Sequence, residues 1–231
     1  MPFYRRLTQP SAPPPPPSNK PSLDKFLFLS LLGLLTLWII YSLGMSVYRI
    51  FDSVASPPPG VLVSEDPQVL ELPGMASFDV KGYFITPLSS FAMNARVLEV
   101  SNYTTSGTAD LLSAISPVDF FLGWGKMSDS AVADNLQVKL GQRSFGLPFK
   151  GLSLDWGYIR LHTWLGIIVP ATPEVASIVM KVRKNNIISM SGYLVNIKTP
   201  SNRSVNTSLA HPDDSYGAMA VLWVEKIVIN Q

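Results

Sequence analysis

The longest uninterrupted apolar stretch of the chain lies near its N-terminus. Between Lys25 and Arg49 there are 23 residues without a charge, from Phe26 to Tyr48. As an α-helix this stretch is about 34 Å long, which is enough to cross a hydrocarbon core of about 30 Å. A cleavable signal peptide has a shorter apolar run and lies closer to the N-terminus. The pattern therefore predicts a retained transmembrane helix over residues 26–48, in contact with the lipid bilayer.

From residue 77 onward the pattern changes to short runs of β-branched and aromatic residues, separated by Gly, Pro and Asn. Such runs are typical of strands. The alternation is clearest over residues 187–197, where successive side chains belong to opposite faces and both faces are partly apolar. The predicted strands are Phe78–Thr86, Met93–Tyr103, Leu136–Leu140, Leu165–Val169, Ile187–Ile197 and Met219–Ile229.

One helix is strongly signalled within this strand-rich part. Thr172 suits its N-cap, Pro173 suits its first position, and apolar residues follow at helical spacing from Val175 onward. A weaker helix is predicted from Ser128 through Leu136. The predicted fold class is mainly β (α+β). It combines one transmembrane helix with a small β-barrel, OB-like or sandwich domain that contains one or two inserted helices.

Proline-rich breaks divide the chain into four predicted parts. Residues 1–25 form a Pro-rich cytoplasmic tail with five consecutive prolines at 13–17, and we expect this tail to be disordered. The tail is either a spacer or a docking peptide for a cytoplasmic partner. The transmembrane helix at 26–48 is followed by a linker over residues 49–76, and an extracytoplasmic β-rich domain occupies residues 77–231.

The distribution of charge predicts the orientation. Four basic residues precede the apolar stretch, whereas Arg49 alone follows it closely and is balanced by Asp52. The positive-inside rule then places the N-terminus in the cytoplasm and the domain outside. The chain contains no cysteine, so its exported domain is stabilised without disulfides, which fits a periplasm. Residues 52–231 carry 13 Lys and Arg against 15 Asp and Glu, so the basic surface that binds nucleic acid is missing.

The residues that could perform catalysis do not form a known pattern. The two histidines, His162 and His211, are not part of a zinc motif such as HExxH, and the sequence predicts neither a metal nor a cofactor. Ser208, His211 and Asp213 could be combined into a triad, but all three lie in one short segment that is more typical of a turn. The sequence therefore predicts no catalytic residue.

The most unusual local feature is the motif segment, residues 122–129, with the sequence LGWGKMSD. Gly123 and Gly125 would let the backbone approach a ligand, with Trp124 as a stacking platform and Asp129 beside a helix start. The alternative is that the glycines shape a turn that buries Trp124 in the core. The candidate ligand or interaction residues are Gly123, Trp124, Gly125, Asp129, His162 and Trp164.

The motif segment also carries a resemblance. Together with residues 162–171, 185–195 and 217–225, it resembles a group of uncharacterised bacterial membrane-anchored proteins that share an LGWGxMSD motif. The similarity covers residues 78–227. It implies a bacterial origin and does not imply an activity. The chain departs from the group's pattern at Ile167, where a second histidine is usual, and at Asn185, where glycine is usual.

Three functional hypotheses follow. The first is a non-catalytic interaction or scaffold protein of the bacterial envelope, anchored in the inner membrane and binding an envelope protein or a second copy of itself. The second is a periplasmic domain that binds a small glycan or lipid in a pocket lined by Trp124, Trp156 or Trp164. The third is a hydrolase, which would need His162 or His211 beside a carboxylate in such a pocket.

Overall fold

The computed structural model describes residues 23–51, 54–104, 110–146, 154–208 and 218–230. The chain divides into two compact units, Met1–Phe51 and Asp52–Gln231. The described part of the first unit is the single helix α1, Leu23–Phe51. Over Lys25–Gly44 this helix is long and apolar enough to cross a membrane. The predicted apolar helix is therefore confirmed, and it extends three residues beyond the predicted bounds at each end.

The second unit consists mainly of sheet, as the sequence predicts. Its helical elements are short: a 3₁₀ turn at Gly125–Ser128, α2 at Ser130–Ala133, α3 at Trp156–Leu161 and α4 at Pro173–Val179. Its strands are β1 Gln68–Glu71, β2 Phe78–Val80, β3 Tyr83–Asn102, β4 Val118–Gly123, β5 Lys139–Gly141, β6 Ser144–Gly146, β7 Thr163–Pro170, β8 Ile187–Lys198, β9 Ser204–Val205 and β10 Ala218–Ile229. Together with α1, this architecture fits the α+β class.

Five strands form a closed circuit of pairings. β3 is antiparallel to β4, β4 is antiparallel to β7, β7 is parallel to β10, β10 is antiparallel to β8, and β8 is antiparallel to β3. The long strand β3 makes this possible, because it pairs with β8 along residues 84–96 and with β4 along residues 96–102. β1 and β2 also pair with β3, β9 pairs with β8, and β5 and β6 form a separate hairpin.

Local backbone geometry explains where the predicted strands differ from the observed ones. The predicted strand over 78–86 is divided into β2 and the start of β3 by a turn at Lys81 and Gly82, both with positive φ. Gly192 permits β8 and β10 to lie close together at an irregularity in their pairing. A Cβ atom on Gly192 would lie 1.9 Å from the backbone oxygen of Trp223.

One face of the strand circuit lies in the largest apolar cluster, and the opposite face is covered in part. One face packs with α4 into the largest apolar cluster, to which the helix contributes Val175 and Val179. The opposite face of β7, β8 and β10 packs against β2 and the segment near Ile115. The opposite face of β3 and β4, at Leu98 and Phe121, is covered by α3 and by the chain around α2. This two-sided burial explains why the predicted strands are apolar on both faces.

Candidate functional site: the motif segment and a cleft beside β1

The motif segment connects β4 to α2. Leu122 and Gly123 end β4, Trp124 follows, and Gly125–Ser128 form the 3₁₀ turn. Asp129 is the N-cap of α2, because its side chain accepts a hydrogen bond of 2.9 Å from the backbone N–H of Ala131. An N-cap aspartate satisfies a backbone donor that the short helix leaves unpaired. The predicted cap in this region is therefore confirmed at Asp129.

The motif segment binds the part of the chain that follows α1, residues 54–66, here called the post-helix segment. Ser128 Oγ accepts hydrogen bonds from the N–H groups of Leu62, at 3.1 Å, and Val63, at 3.0 Å. The N–H of Gly125 donates to the carbonyl of Val63 at 2.7 Å.

Two further hydrogen bonds continue the same contact at its two ends. The N–H of Gly60 donates to Asp129 Oδ1 at 2.9 Å, and Trp124 Nε1 donates to Asp66 Oδ1 at 2.8 Å. The polar groups of the motif segment are thus used to hold another part of the same chain. The stretch predicted as a linker, residues 49–76, contains a docked segment and the strand β1.

A buried arginine holds the start of the post-helix segment. The side chain of Arg96, on β3, is fully buried and donates to Ser56 Oγ at 2.9 Å, Ser130 Oγ at 2.8 Å and Asn185 Oδ1 at 2.8 Å. It also forms an ion pair of 3.2 Å with Asp134. Burial lowers the pKa of Arg96, and the charge of Asp134 opposes this effect. Asn185 is therefore a partner of a buried charge in this chain.

Most of the residues singled out from the sequence belong to one aromatic cluster. The ring of Trp124 is only 2% exposed and meets Trp164 edge to face at 5.5 Å and His162 at 6.2 Å. Tyr158 stacks on His162 at 3.7 Å, and the Nδ1 atom of His162 lies 2.8 Å from the carbonyl oxygen of Tyr158. Since Trp124 is buried, its ring is not available as an open stacking platform.

The two glycines of the motif segment are required by this packing. A Cβ atom on Gly123 would lie 2.7 Å from Leu98 Cδ1. Gly125 has a φ of +56°, and its Cβ would lie 2.5 Å from the hydroxyl of Tyr158. Of the six predicted site residues, the structure brings together Gly123, Trp124, Gly125, His162 and Trp164, while Asp129 contacts the post-helix segment. Close packing, rather than approach to a ligand, accounts for both glycines.

The strongest electrostatic cluster was not predicted from the sequence. Arg143, in the turn between β5 and β6, pairs with Asp110 at 2.6 Å and with Asp119 at 2.5 Å. It also donates to Ser116, and its guanidinium lies 3.9 Å from the ring centre of Tyr103. Every N–H direction of this guanidinium has an acceptor, so the cluster fixes the hairpin to the domain. Its members are far apart in sequence, so no local pattern indicates them.

A cleft of about 360 Å³ opens beside β1. It crosses β1, β3, β8 and β10, and it is closed on one side by Glu65 and Asp66 of the post-helix segment. Eight of its twelve lining residues are polar or charged, and none is a tryptophan or a histidine. The lining residues are Glu65, Asp66, Gln68, Ala92, Met93, Asn94, Ser189, Met190, Ser191, Lys226, Val228 and Asn230.

Metal-binding and catalytic groups do not converge in the part of the chain that the structure describes. Within those residues there is no group of three or more His, Asp or Glu side chains that could hold a metal ion. Two members of the hypothetical triad around Ser208, His211 and Asp213, lie outside the described residues, as does the Pro-rich tail.

The chain was compared with known proteins at three levels. No family model matches it, and no match was found among curated proteins or among solved structures.

Proposed function

We propose that this protein is a non-catalytic interaction module of the bacterial envelope, anchored in the inner membrane by α1. The asymmetry of basic residues around α1 supports a cytoplasmic N-terminus and an extracytoplasmic domain. The LGWGxMSD resemblance supports the bacterial assignment.

We infer that the five-strand circuit is a small barrel of OB type. In chain order its strands are β3, β4, β7, β8 and β10. The first strand, β3, pairs with the second, β4, and with the fourth, β8. The third strand, β7, is parallel to the fifth, β10. The helix α4 lies between the third and fourth strands. This strand order is that of a five-stranded Greek-key barrel.

The face that such barrels use for ligands is covered in this chain. Oligonucleotides and oligosaccharides bind OB folds over the second and third strands, which correspond to β4 and β7. Here Phe121 of β4 packs against Phe145 of the β5–β6 hairpin at 4.6 Å, and Asp119 of β4 pairs with Arg143. The usual ligand face is thus occupied by an insert of the same chain, which favours a different mode of binding.

The observation that carries the proposal is the edge strand β1. Among the described strands β1 pairs with β3 alone, so its other edge keeps backbone N–H and C=O groups without a strand partner. All four of its side chains are exposed, and Leu70 is 69% exposed. An open edge with an exposed apolar side chain is a site at which another chain can add a strand.

The proposal is tested by site-specific photocrosslinking of the full-length protein in its own membrane. A photoreactive residue at Leu70 is expected to capture a discrete envelope protein or a second copy of the chain. The matched control is Leu161 at the end of α3, which is also an exposed leucine, at 54%. The substitution Leu70→Lys should abolish the contact, because charged side chains on an edge oppose strand addition. Equal capture at both positions, or none at Leu70, would refute the proposal.

The other two hypotheses have less support. A ligand site built on tryptophan platforms is opposed by the burial of Trp124 and by the absence of tryptophan from the described cleft. A hydrolase centred on His162 is opposed by its position, since it packs between Trp124 and Tyr158 and does not line that cleft.

A further inference from the structure

The cleft beside β1 has the composition of a hydrogen-bonding site. Its floor is made of paired residues on neighbouring strands, with Ala92 opposite Ser191 and Asn94 opposite Ser189. These side chains are small or polar, so a ligand can approach the sheet closely. Lys226 and Val228 of β10 continue this floor, because they lie opposite Ser191 and Ser189 in the same sheet. A volume of about 360 Å³ is at the lower end of the range of about 300–1,000 Å³ found for small-molecule sites.

Three side chains cross the floor as one hydrogen-bonded row. Asn230 Nδ2 donates to Ser189 Oγ at 2.7 Å, and Ser189 Oγ donates to Asn94 Oδ1 at 2.5 Å. The row joins β10, β8 and β3, and each member restricts the rotation of the next. The row itself uses the amide oxygen of Asn94 and an amide N–H of Asn230, and it does not use the amide N–H groups of Asn94 or the amide oxygen of Asn230. Donors and acceptors are thus held in place before a ligand arrives, which reduces the entropy lost on binding.

The charges of the cleft do not favour a strongly charged ligand. Two carboxylates, Glu65 and Asp66, face one lysine, Lys226, so the formal charge of the lining is −1. One oxygen of Asp66 is already used by Trp124. The apolar lining residues are Ala92, Val228, Met93 and Met190, and both methionines are nearly buried. No aromatic ring is present, so a lipid chain has little exposed apolar surface to bind.

A peptide strand is also a poor fit to this floor. Extended peptides bind sheets mainly through main-chain hydrogen bonds at an open edge. Here the backbone groups of β8 around Ser189 are paired with β3 on one side and with β10 on the other. The cleft therefore presents side-chain hydroxyls, amides and carboxylates, but no free backbone ladder. These groups match a ligand that carries many hydroxyls.

We propose that this cleft binds a small, uncharged, hydroxyl-rich ligand of the size of one or two sugar rings. The site is separate from the outer edge of β1, so it does not depend on the strand-addition contact at Leu70. Asn94, Ser189 and Asn230 bind the hydroxyl groups, and Ala92 and Ser191 leave the room that the rings occupy.

The test uses the full-length protein in nanodiscs and ligand-observed NMR. The probes are N,N′-diacetylchitobiose, maltose and, as the competing class, triglycine. At least one disaccharide is expected to bind with a Kd on the order of 1 mM or tighter, corresponding to about −4 kcal/mol or better. Ser189→Ala breaks the row and is expected to weaken this binding about tenfold.

A second variant tests the site without removing a hydrogen bond. Ala92→Leu fills the floor of the cleft and is expected to abolish binding of the disaccharide. Ser90→Ala is the matched control, because Ser90 lies on the same face of β3, one pair from Ala92, and does not line the cleft. Thermal unfolding of each variant shows whether it is folded.

Three outcomes would overturn the proposal. The first is an absence of disaccharide binding at about 10 mM, well above the expected Kd. The second is unchanged binding of the disaccharide by Ala92→Leu. The third is a preference for triglycine that is lost in Ala92→Leu, which would assign the cleft to peptides. Failure of crosslinking at Leu70 would not change any of these results.

Discussion

Replacing Ser128 by alanine removes the side-chain oxygen that holds residues 62 and 63 of the post-helix segment. Ser128 is fully buried, and its Oγ accepts from the N–H groups of Leu62 and Val63. The hydroxyl also donates to the carbonyl of Gly125 at 2.7 Å. The change to alanine adds no atoms, so lost hydrogen bonding is the main perturbation.

The magnitude follows from the groups left without a partner. The N–H of Val63 lies in a buried contact, and leaving a buried donor unpaired costs about 1–3 kcal/mol. The contact of Leu62 is only partly buried, so water can replace part of it. We therefore expect Ser128→Ala to lower the free energy of opening of the post-helix segment by about 2 kcal/mol, which corresponds to a roughly 30-fold increase in the open population.

Hydrogen exchange of the full-length protein in detergent micelles measures this quantity. The amides of Leu62 and Val63 are expected to exchange about 30-fold faster in Ser128→Ala than in the wild type. Ser64→Ala is the matched control, because Ser64 lies in the same segment and is exposed, and it should change stability by less than about 0.5 kcal/mol. If the amides of Leu62 and Val63 exchange at the same rate in Ser128→Ala and in Ser64→Ala, the hydrogen bonds of Ser128 do not hold the segment.

Two further predictions concern the domain itself. Gly192→Ala should destabilise the domain by about 3 kcal/mol or more in urea unfolding, because the added Cβ would lie 1.9 Å from the backbone oxygen of Trp223. Gly146→Ala is the control and should be tolerated, because no described atom lies within 4 Å of its added Cβ. Burial acts to raise the pKa of Asp110, but hydrogen bonds from Arg143, Ser113 and the Leu112 backbone, together with the charge of Arg143, outweigh it and lower the pKa to about 2, from 3.8. Ionised Asp110 thus contributes about 2 kcal/mol of stability above pH 4, which is lost as the pH falls toward 2. Urea unfolding between these pH values should show this loss of stability in the wild type and a smaller loss in Asp110→Asn. If both proteins lose the same stability in acid, ionised Asp110 is not the source of that stability.

The motif segment illustrates how the same residues support two interpretations until their partners are known. Two glycines around a tryptophan are compatible with a ligand-binding loop and with a tightly packed turn. The structure pairs Ser128, Asp129 and Trp124 with the post-helix segment and packs both glycines against side chains. These contacts give the motif a role in holding the chain that follows α1, which explains why its polar and small residues occur together.

Features that depend on neighbours in sequence could be predicted. An uncharged run of 23 residues determines that α1 can form a helix long enough to cross a membrane. The helix α4 begins where its sequence indicates, since Thr172 accepts a hydrogen bond from the N–H of Val175 and Pro173 is its first residue. The strands β8 and β10 were also indicated, because their residues alternate or are β-branched over many positions.

The tertiary structure decided what depends on distant partners. Every residue of β4 is buried, so its sequence shows no alternation, and only pairing with β3 and β7 makes it a strand. Arg143 and Arg96 are ordinary basic residues in the sequence, and only the fold brings carboxylates, hydroxyls and an amide oxygen 24 to 89 positions away into their reach. The cleft has the same origin, because its floor combines side chains from β3, β8 and β10. Local spacing determines which backbone conformations are favourable, whereas strand pairing determines which side chains meet.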